Sequence, residues 1–248
     1  MKKKNIIVTG SEGIIGKSLV PFLEKKNHIV FKVDKKKLTK KNYFNCDITN
    51  ESQVMNCIKK ITNKNSIDVV INAASSNPKF DSKKFSFSDY NLATWKKNLE
   101  VDLIGSFLIS KYICKKFEKK NKGTIINISS IYGIQAPDQK IYTKKKKKFS
   151  GFKPLEYSVA KAGIIGFTKS LASYYAQTNI RVICVSLGGI QTKKMSNYFK
   201  KAYEAKTIVG RLAKNNEYNE FINFLCSDKI NYISGSNIVL DGGATSKI

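Results

Sequence analysis

Short runs of β-branched residues recur along this chain, each followed by a longer stretch whose apolar residues return with helical period, and few folds accept that alternation. The runs NIIVT (5–9), IVFKV (29–33), DVVIN (68–72), TIINIS (124–129), RVICVS (181–186) and NIVLD (237–241) read as strands. Residues 14–26, 51–63, 91–118, 157–177 and 217–226 read as helices, the fourth with Leu155 or Glu156 near its start. Strands joined through helices pair in parallel, and strands that are apolar on both sides are covered on both faces. The expectation is an α/β fold, a doubly wound parallel sheet in three αβα layers. With 248 residues, no internal repeat and no linker rich in Gly, Pro or Ser, one domain spanning 1–248 is expected.

Charge narrows the partners. The formal net charge of +27 would suit nucleic acid or an anionic membrane. Yet Arg181 and Arg211 are the only arginines, and nucleic-acid surfaces favour the bidentate arginine fork. Lysine is scattered over the whole chain, which reads as a solvated coat, and no nucleic-acid partner is expected. The cysteines Cys46, Cys57, Cys114, Cys184 and Cys226 are odd in number and far apart, with no C-x-x-C and no cluster around the lone His28. That usage implies a reducing compartment and no metal site. The start MKKKNIIVTG has too short an apolar run for a secretory signal, and nothing later has the length of a membrane span. A soluble, cytoplasmic protein is expected, without membrane contact.

TGSEGIIG (9–16) follows the first strand and opens the first helix. Glycines there let the backbone turn sharply and approach a pyrophosphate, while the helix N-terminus offers free N–H donors. A tight turn without ligand would use the same residues. The second strand leads into Asp34, at about the distance from Gly10 where a dinucleotide fold sets an acid against the adenosine ribose. A carboxylate there repels a 2′-phosphate, and Glu12 and Gly13 leave the loop without a cation, so NAD is favoured over NADP. Lys35, Lys36 and Lys37 could swing toward a phosphate or simply form a basic turn.

Tyr157 and Lys161 share one face of a helix at their four-residue spacing, and a strand ending in the hydroxyls of INISSIYG (126–133) could place Ser130 beside them. With these residues the chain resembles the short-chain dehydrogenase/reductases of the compact, single-domain type. TGSEGIIG, CDIT (46–49), INAA (71–74), NISSIYG, YSVAK, RVICVSLGGIQT (181–192) and ISGSNIVLDGG (233–243) match in order and approximate spacing across essentially the whole chain. The resemblance implies a Rossmann-type sheet and hydride transfer between a nicotinamide cofactor and a carbinol carbon. Tyr157 would act as acid or base. A free phenol titrates near 10, so its ionised form at neutral pH needs a neighbouring cation, which Lys161 supplies. Lys161 would also hold the nicotinamide ribose, and Ser130, placed by the S-x-x-G spacing rather than its neighbour Ser129, would orient the substrate oxygen. The cofactor contacts implied are Gly10, Ile15 and Gly16 at the pyrophosphate turn, Asp34 at the ribose, and Asp47 with Ile48 around adenine. Asn72, Ala73 and Ala74 would line the adenosine-side ribose and diphosphate, and Gly188, Ile190 and Thr192 the nicotinamide end. Asn72 could equally tie adjacent strands together, and Gly188 could only form a turn. Family members pair through the long helices between subunits, which implies a homodimer or homotetramer.

The chain also departs from that family. Its glycine loop, T-G-x-x-G-x-x-G, is more usual in longer relatives, and Leu187 stands where proline is usual. VDLIGSF (101–107) carries Asp102 where asparagine is typical. That asparagine shapes a helix kink and a water path to the lysine; an aspartate could keep the shape and hydrogen-bond Lys161 through water, but it adds a negative charge that works against the phenolate. The segment between Ser130 and Tyr157 is longer than usual by about residues 136–154, which hold the lysine run IYTKKKKKFS. Anchored at both ends by the candidate site, the extra residues form a cationic flap at its mouth or a basic surface loop. A flap suits an anionic substrate such as a phosphorylated or nucleotide-linked sugar, and the arrangement resembles members from surface-glycan and flagellin-modification pathways. Residues 191–207 correspond to the substrate lid, and Tyr132 is a candidate for the pocket wall. The alternative is a catalytically idle dinucleotide-binding protein, regulatory or scaffolding, for which Asp102 is the main argument.

Overall fold

The structure is a computed structural model and describes residues 2–76, 87–142 and 153–247. Its seven strands are β1 (Asn5–Thr9), β2 (Ile29–Asp34), β3 (Tyr43–Asn45), β4 (Val69–Asn72), β5 (Gly123–Ser130), β6 (Ile180–Leu187) and β7 (Asn237–Leu240). All neighbours pair in parallel, in the order β3-β2-β1-β4-β5-β6-β7. From β1 the chain winds outward to β3, then returns to β4 on the other side of β1 and winds toward β7. That reversal opens a crevice beyond the carboxyl ends of β1 and β4, where ligands of such sheets bind. This is the doubly wound α/β arrangement that the alternation implied, and the Rossmann-type sheet that the resemblance implied.

The helices are α1 (Gly16–Lys25), α2 (Glu51–Thr62), α3 (Leu92–Leu99), α4 (Gly105–Lys119), α5 (Leu155–Tyr174), α6 (Asn197–Glu204) and α7 (Asn219–Leu225). They cover the sheet on both sides, and the strand period of two shows in the burial. Ile7 joins Val33, Val54, Ile109, Phe117, Ile125 and Val182 on one face. Ile6 and Val8 join Leu19, Leu23, Ile71, Ile126, Val185 and Ile222 on the other. Each such side chain removed from water contributes about 1.5–3 kcal/mol, so neither face can be left uncovered. A third, smaller cluster lies beyond the carboxyl edge of the sheet: Ile131, Ile141, Tyr203, Leu212 and Ala244, with Tyr132, Tyr142, Met195 and Phe199 packed against it.

Three features differ from the expected elements. The edge strand β3 has only three residues, too few for a periodic signal, and exists through its pairing with β2. The helix expected over 91–118 is two helices, capped at the start by the Asn91 side chain and divided by a wider π-helical turn over Glu100–Ile104. Within the expected lid, residues 197–204 form α6, capped by the Ser196 hydroxyl. Of the expected insertion, 136–142 and 153–154 are described, and the lysine run lies outside the described residues. All five cysteines are free and buried. Among the described residues no helix is long and apolar enough to cross a membrane, and no three His, Cys, Asp or Glu side chains form a group able to hold a metal.

Candidate active site

The glycine loop leaves β1 through Gly10, whose φ of +66° is the left-handed conformation that favours glycine. A Cβ on Gly10 would stand 2.6 Å from Ala74 Cα, and one on Gly16 would stand 2.3 Å from the Gly10 carbonyl oxygen. These positions therefore make a cradle in which backbone, not side chain, faces the crevice, with Ile15 just before the α1 N-terminus. The Thr9 hydroxyl accepts from the Ala73 and Ala74 N–H groups, at 3.2 Å each, and so ties the loop to the end of β4. Ser11 Oγ is buried in the loop without a hydrogen-bond partner among the described residues.

At the end of β2 the Asp34 carboxylate accepts from the Glu12 N–H at 2.9 Å and from the Lys36 N–H at 3.1 Å. Two backbone donors thus fix its direction beside the glycine loop. Lys40 is ion-paired with Glu12 at 2.7 Å. Asp47 accepts from the Thr49 N–H and hydroxyl, and Ile48 is buried with its side chain against Gly105. Asn72 donates to Asn127 Oδ1 at 2.8 Å and to Ser110 Oγ at 3.3 Å, so it does tie β4 to β5, while its own Oδ1 has no partner among the described residues. At the end of β6, Gly188 packs its Cα against Asp241, Gly189 lies on the Tyr203 ring, and Ile190 bridges to Ala213. Thr192 follows, half-buried, at the root of the lid.

The remaining candidates meet between β5 and α5. Ser129 and Ser130 point opposite ways, as successive strand residues must. Ser129 Oγ donates to the Lys161 carbonyl at 2.8 Å, locking β5 to α5, and Ser130 Oγ accepts from the Tyr132 N–H at 3.2 Å. Gly133 presses on the Lys161 backbone so closely that a Cβ would lie 2.6 Å from it. Tyr157, in the first turn of α5, meets the Tyr132 ring edge-on at 6.5 Å. The buried Lys161 ammonium lies 5.6 Å from the Tyr157 ring centroid, donates to the Ile128 carbonyl at 3.3 Å and stands 4.0 Å from Asp102 Oδ1. The π-helical turn carries Asp102 inward to 2% exposure, where Oδ1 accepts from the Ser76 N–H at 2.8 Å. Its second carboxylate oxygen has no partner among the described residues.

Sequence reasoning missed three side chains here. Lys153, 9% exposed, places its ammonium 3.6 Å from the Tyr157 ring centroid. Burial, and then the charge of Lys161, push it down to about 8. Glu156 is fully buried and accepts from Asn98 and from the Tyr90 hydroxyl. Gln139 clasps the Lys153 backbone with both ends of its amide, accepting from the N–H at 2.9 Å and donating to the carbonyl at 3.3 Å. For Lys153 and Glu156 proximity to Tyr157 on the chain was the only available signal, and for Gln139 its place in the insertion. The start of the insertion is also joined to the lid: Asp138 pairs with Lys206 at 2.7 Å, Tyr198 donates to the Lys140 carbonyl, and the Tyr142 ring packs on Phe199. Tyr142 donates to the Tyr132 hydroxyl at 3.0 Å, and burial raises both phenols.

The chain is similar to known proteins. A family model described as enoyl-(acyl carrier protein) reductase matches residues 23–245. The 3-oxoacyl-[acyl-carrier-protein] reductase FabG of Aquifex aeolicus is 29% identical over 242 residues, covering 96% of this chain and 86% of that protein. The crystal structure of a short-chain dehydrogenase from Leptospira borgpetersenii with bound NAD+ superposes with a TM-score of 0.88 at 32% identity, over 99% of this chain and 94% of that one. ElxO with NADP bound has the same fold, with a TM-score of 0.84 at 24% identity, over 99% of this chain and all of that one.

Proposed function

Because the chain belongs to the short-chain dehydrogenase/reductase family, a family of NAD(P)-dependent oxidoreductases, we propose that it interconverts a secondary alcohol and a ketone with NAD as cofactor. The observation that carries this reading is the pairing of Tyr157 with Lys161 on α5, with Ser130 at the end of β5 accepting from the N–H of Tyr132, whose ring meets Tyr157, at the carboxyl edge of the sheet beside a glycine cradle. The cradle fits a nicotinamide dinucleotide: the Gly10 and Gly16 backbone has no room for side chains, and the orphaned Ser11 hydroxyl lies within the loop. Gly10, Ile15 and Gly16 would hold its pyrophosphate, Asp34 its adenosine ribose, Asp47 and Ile48 its adenine, Asn72, Ala73 and Ala74 the adjoining ribose and diphosphate, and Gly188, Ile190 and Thr192 its nicotinamide end. When bound, that group supplies or accepts the hydride at the substrate carbon. Tyr157 gives or takes the proton at the substrate oxygen, Ser130 orients that oxygen, and Lys161 stabilises the phenolate by its charge. The backbone-pinned carboxylate of Asp34 supports NAD over NADP, as does the NAD+ in the 32%-identical Leptospira structure.

We further infer one nucleotide-binding domain over 1–248, with the insertion at about 136–154 and the lid at about 191–207 facing an anionic, carbohydrate-derived substrate. The cationic composition of the insertion supports that class, and the similarity to an acyl-carrier-protein reductase supports a 3-oxoacyl thioester as its rival. Exposed Ile104 and Phe107 near the start of α4 and Val159 on α5 offer apolar faces for a second copy, supporting a homodimer or homotetramer. Five free, buried cysteines suit the reducing cytoplasm.

Parallel fluorescence titrations with NADH and NADPH test the foundation. Saturable binding with NADH tighter is expected, and binding of neither would remove the enzyme reading. Oxidation or reduction of sugar phosphates or sugar nucleotides is then expected, with Tyr157→Phe losing about 100-fold or more in kcat. Turnover of 3-oxoacyl thioesters alone would reject the carbohydrate assignment, and full activity of Tyr157→Phe would reject the proton-transfer role.

A further inference from the structure

We propose that Lys153 is a second positioning cation of this site, its ammonium held against the Tyr157 ring to balance the negative charge that Asp102 brings. The inference rests on Tyr157 as the proton-transferring group. Around Tyr157 the described residues supply the following charged or titratable groups. Lys161 and Glu156 come from α5, Asp102 from the π-helical turn, Lys153 from the segment before α5, Tyr132 from the 131–133 turn and Tyr142 from the 139–142 turn. The two tyrosines bond to each other and burial holds them neutral. Among the described residues two ammonium groups, Lys153 and Lys161, and two carboxylates, Asp102 and Glu156, lie around the start of α5, and removing Lys153 leaves that described set with net negative charge.

The position of Lys153 is built into the fold. Gln139 fixes its backbone from both sides, Pro154 directly follows and opens α5, and the side chain is 9% exposed. At 3.6 Å from the ring centroid the contact is well within the range of a cation on an aromatic face. A charge that close also acts on the phenol oxygen. Ionising the phenol then stabilises the ammonium, and a protonated ammonium stabilises the phenolate, so the two titrate as a pair. This reciprocity answers the cost of burying Lys153, which burial and Lys161 otherwise drive toward the neutral amine.

The test is direct titration of Tyr157 in full-length protein labelled with 13C at the tyrosine ζ carbons, with Tyr157→Phe identifying its signal. In Lys153→Met the Tyr157 midpoint is expected to move up by about one unit or more, and the acid limb of the kcat/KM profile to move with it. Lys153→Arg, which keeps the charge, is expected to return both toward wild type, and Asp102→Asn combined with Lys153→Met to reverse much of the shift. A Tyr157 midpoint unmoved in Lys153→Met overturns the proposal. Should that variant fail to fold, Lys153→Gln decides by the same readout. The titration reads Tyr157 itself, so loss of its catalytic role, seen as an active Tyr157→Phe, is a separate outcome.

Discussion

Replacing Asp34 with Asn should shift the balance from NADH toward NADPH. The Asp34 carboxylate is held by the Glu12 N–H at 2.9 Å and the Lys36 N–H at 3.1 Å, so it cannot turn away from a ligand lying along the glycine loop. A 2′-phosphate about 5 Å away would meet a repulsion of about 3 kcal/mol per pair of unit charges at an effective dielectric constant of about 20. Water and salt in an open crevice reduce this to about 1–2 kcal/mol, or about 5–30-fold in affinity. Asn keeps an acceptor for the Glu12 N–H but removes the charge, leaving Lys35, Lys36 and Lys37 to attract the phosphate. NADPH should bind Asp34→Asn about 5–30-fold more tightly than wild type. NADH should lose about 3–10-fold, since a charge-assisted hydrogen bond to ribose becomes a neutral one. The assay is the quenching or enhancement of nicotinamide fluorescence at two ionic strengths, where the gain for NADPH should shrink at the higher. An NADH to NADPH ratio within about twofold of wild type would refute the electrostatic argument.

Gly16→Ala places a methyl group where the Gly10 carbonyl oxygen stands 2.3 Å away, and the strain should cost about 1–3 kcal/mol; at about 2–4 °C per kcal/mol for this size, a thermal melt identical to wild type contradicts the geometry. His28 accepts the Lys4 N–H at Nδ1 and bonds Asn223 Oδ1 through Nε2, an arrangement that requires the neutral ring, and burial lowers its pKa. Its folded value lies below the unfolded value of about 6.5, so the unfolded chain takes up more protons as pH falls, and stability should decline below about pH 6.5. His28→Gln should flatten that part of the denaturant midpoint against pH curve, and an unchanged slope would remove His28 as its cause. Phe107→Glu sets a charge on an exposed apolar face of α4 and should lower the mass measured by light scattering; a mass equal to wild type assigns the contact between copies elsewhere.

What the sequence revealed, and what it concealed, follows from range. The glycine loop and Asp34 were legible because a turn and the strand next to it encode them locally, and the six longer strands because burial on both faces imposes β-branched runs. β3 was not, because Tyr43, Phe44 and Asn45 become a strand only through pairing with β2. The break at Asp102 was signalled only by the resemblance, because the helices on either side of the wide turn each keep the ordinary helical period. Lys153 and Glu156 were hidden for a different reason. One lysine among so many and one acid in a first helical turn look like surface residues until Gln139, Asn98 and Tyr90 are brought to them through tertiary contacts.

The Gln139 clasp has a consequence for how such a protein can change. Because one amide holds the Lys153 backbone on both sides, the entry to α5 is tied to Gln139 by two bonds that do not depend on the identity of the lysines at 144–148. The entropic cost of lengthening a chain segment closed at both ends grows only with the logarithm of its length. Substitutions among those lysines that leave Gln139, Ile141 and Tyr142 in place should therefore have little effect on Tyr157. A lineage could thus rewrite the lysine run while the setting of Tyr157 is carried through intact.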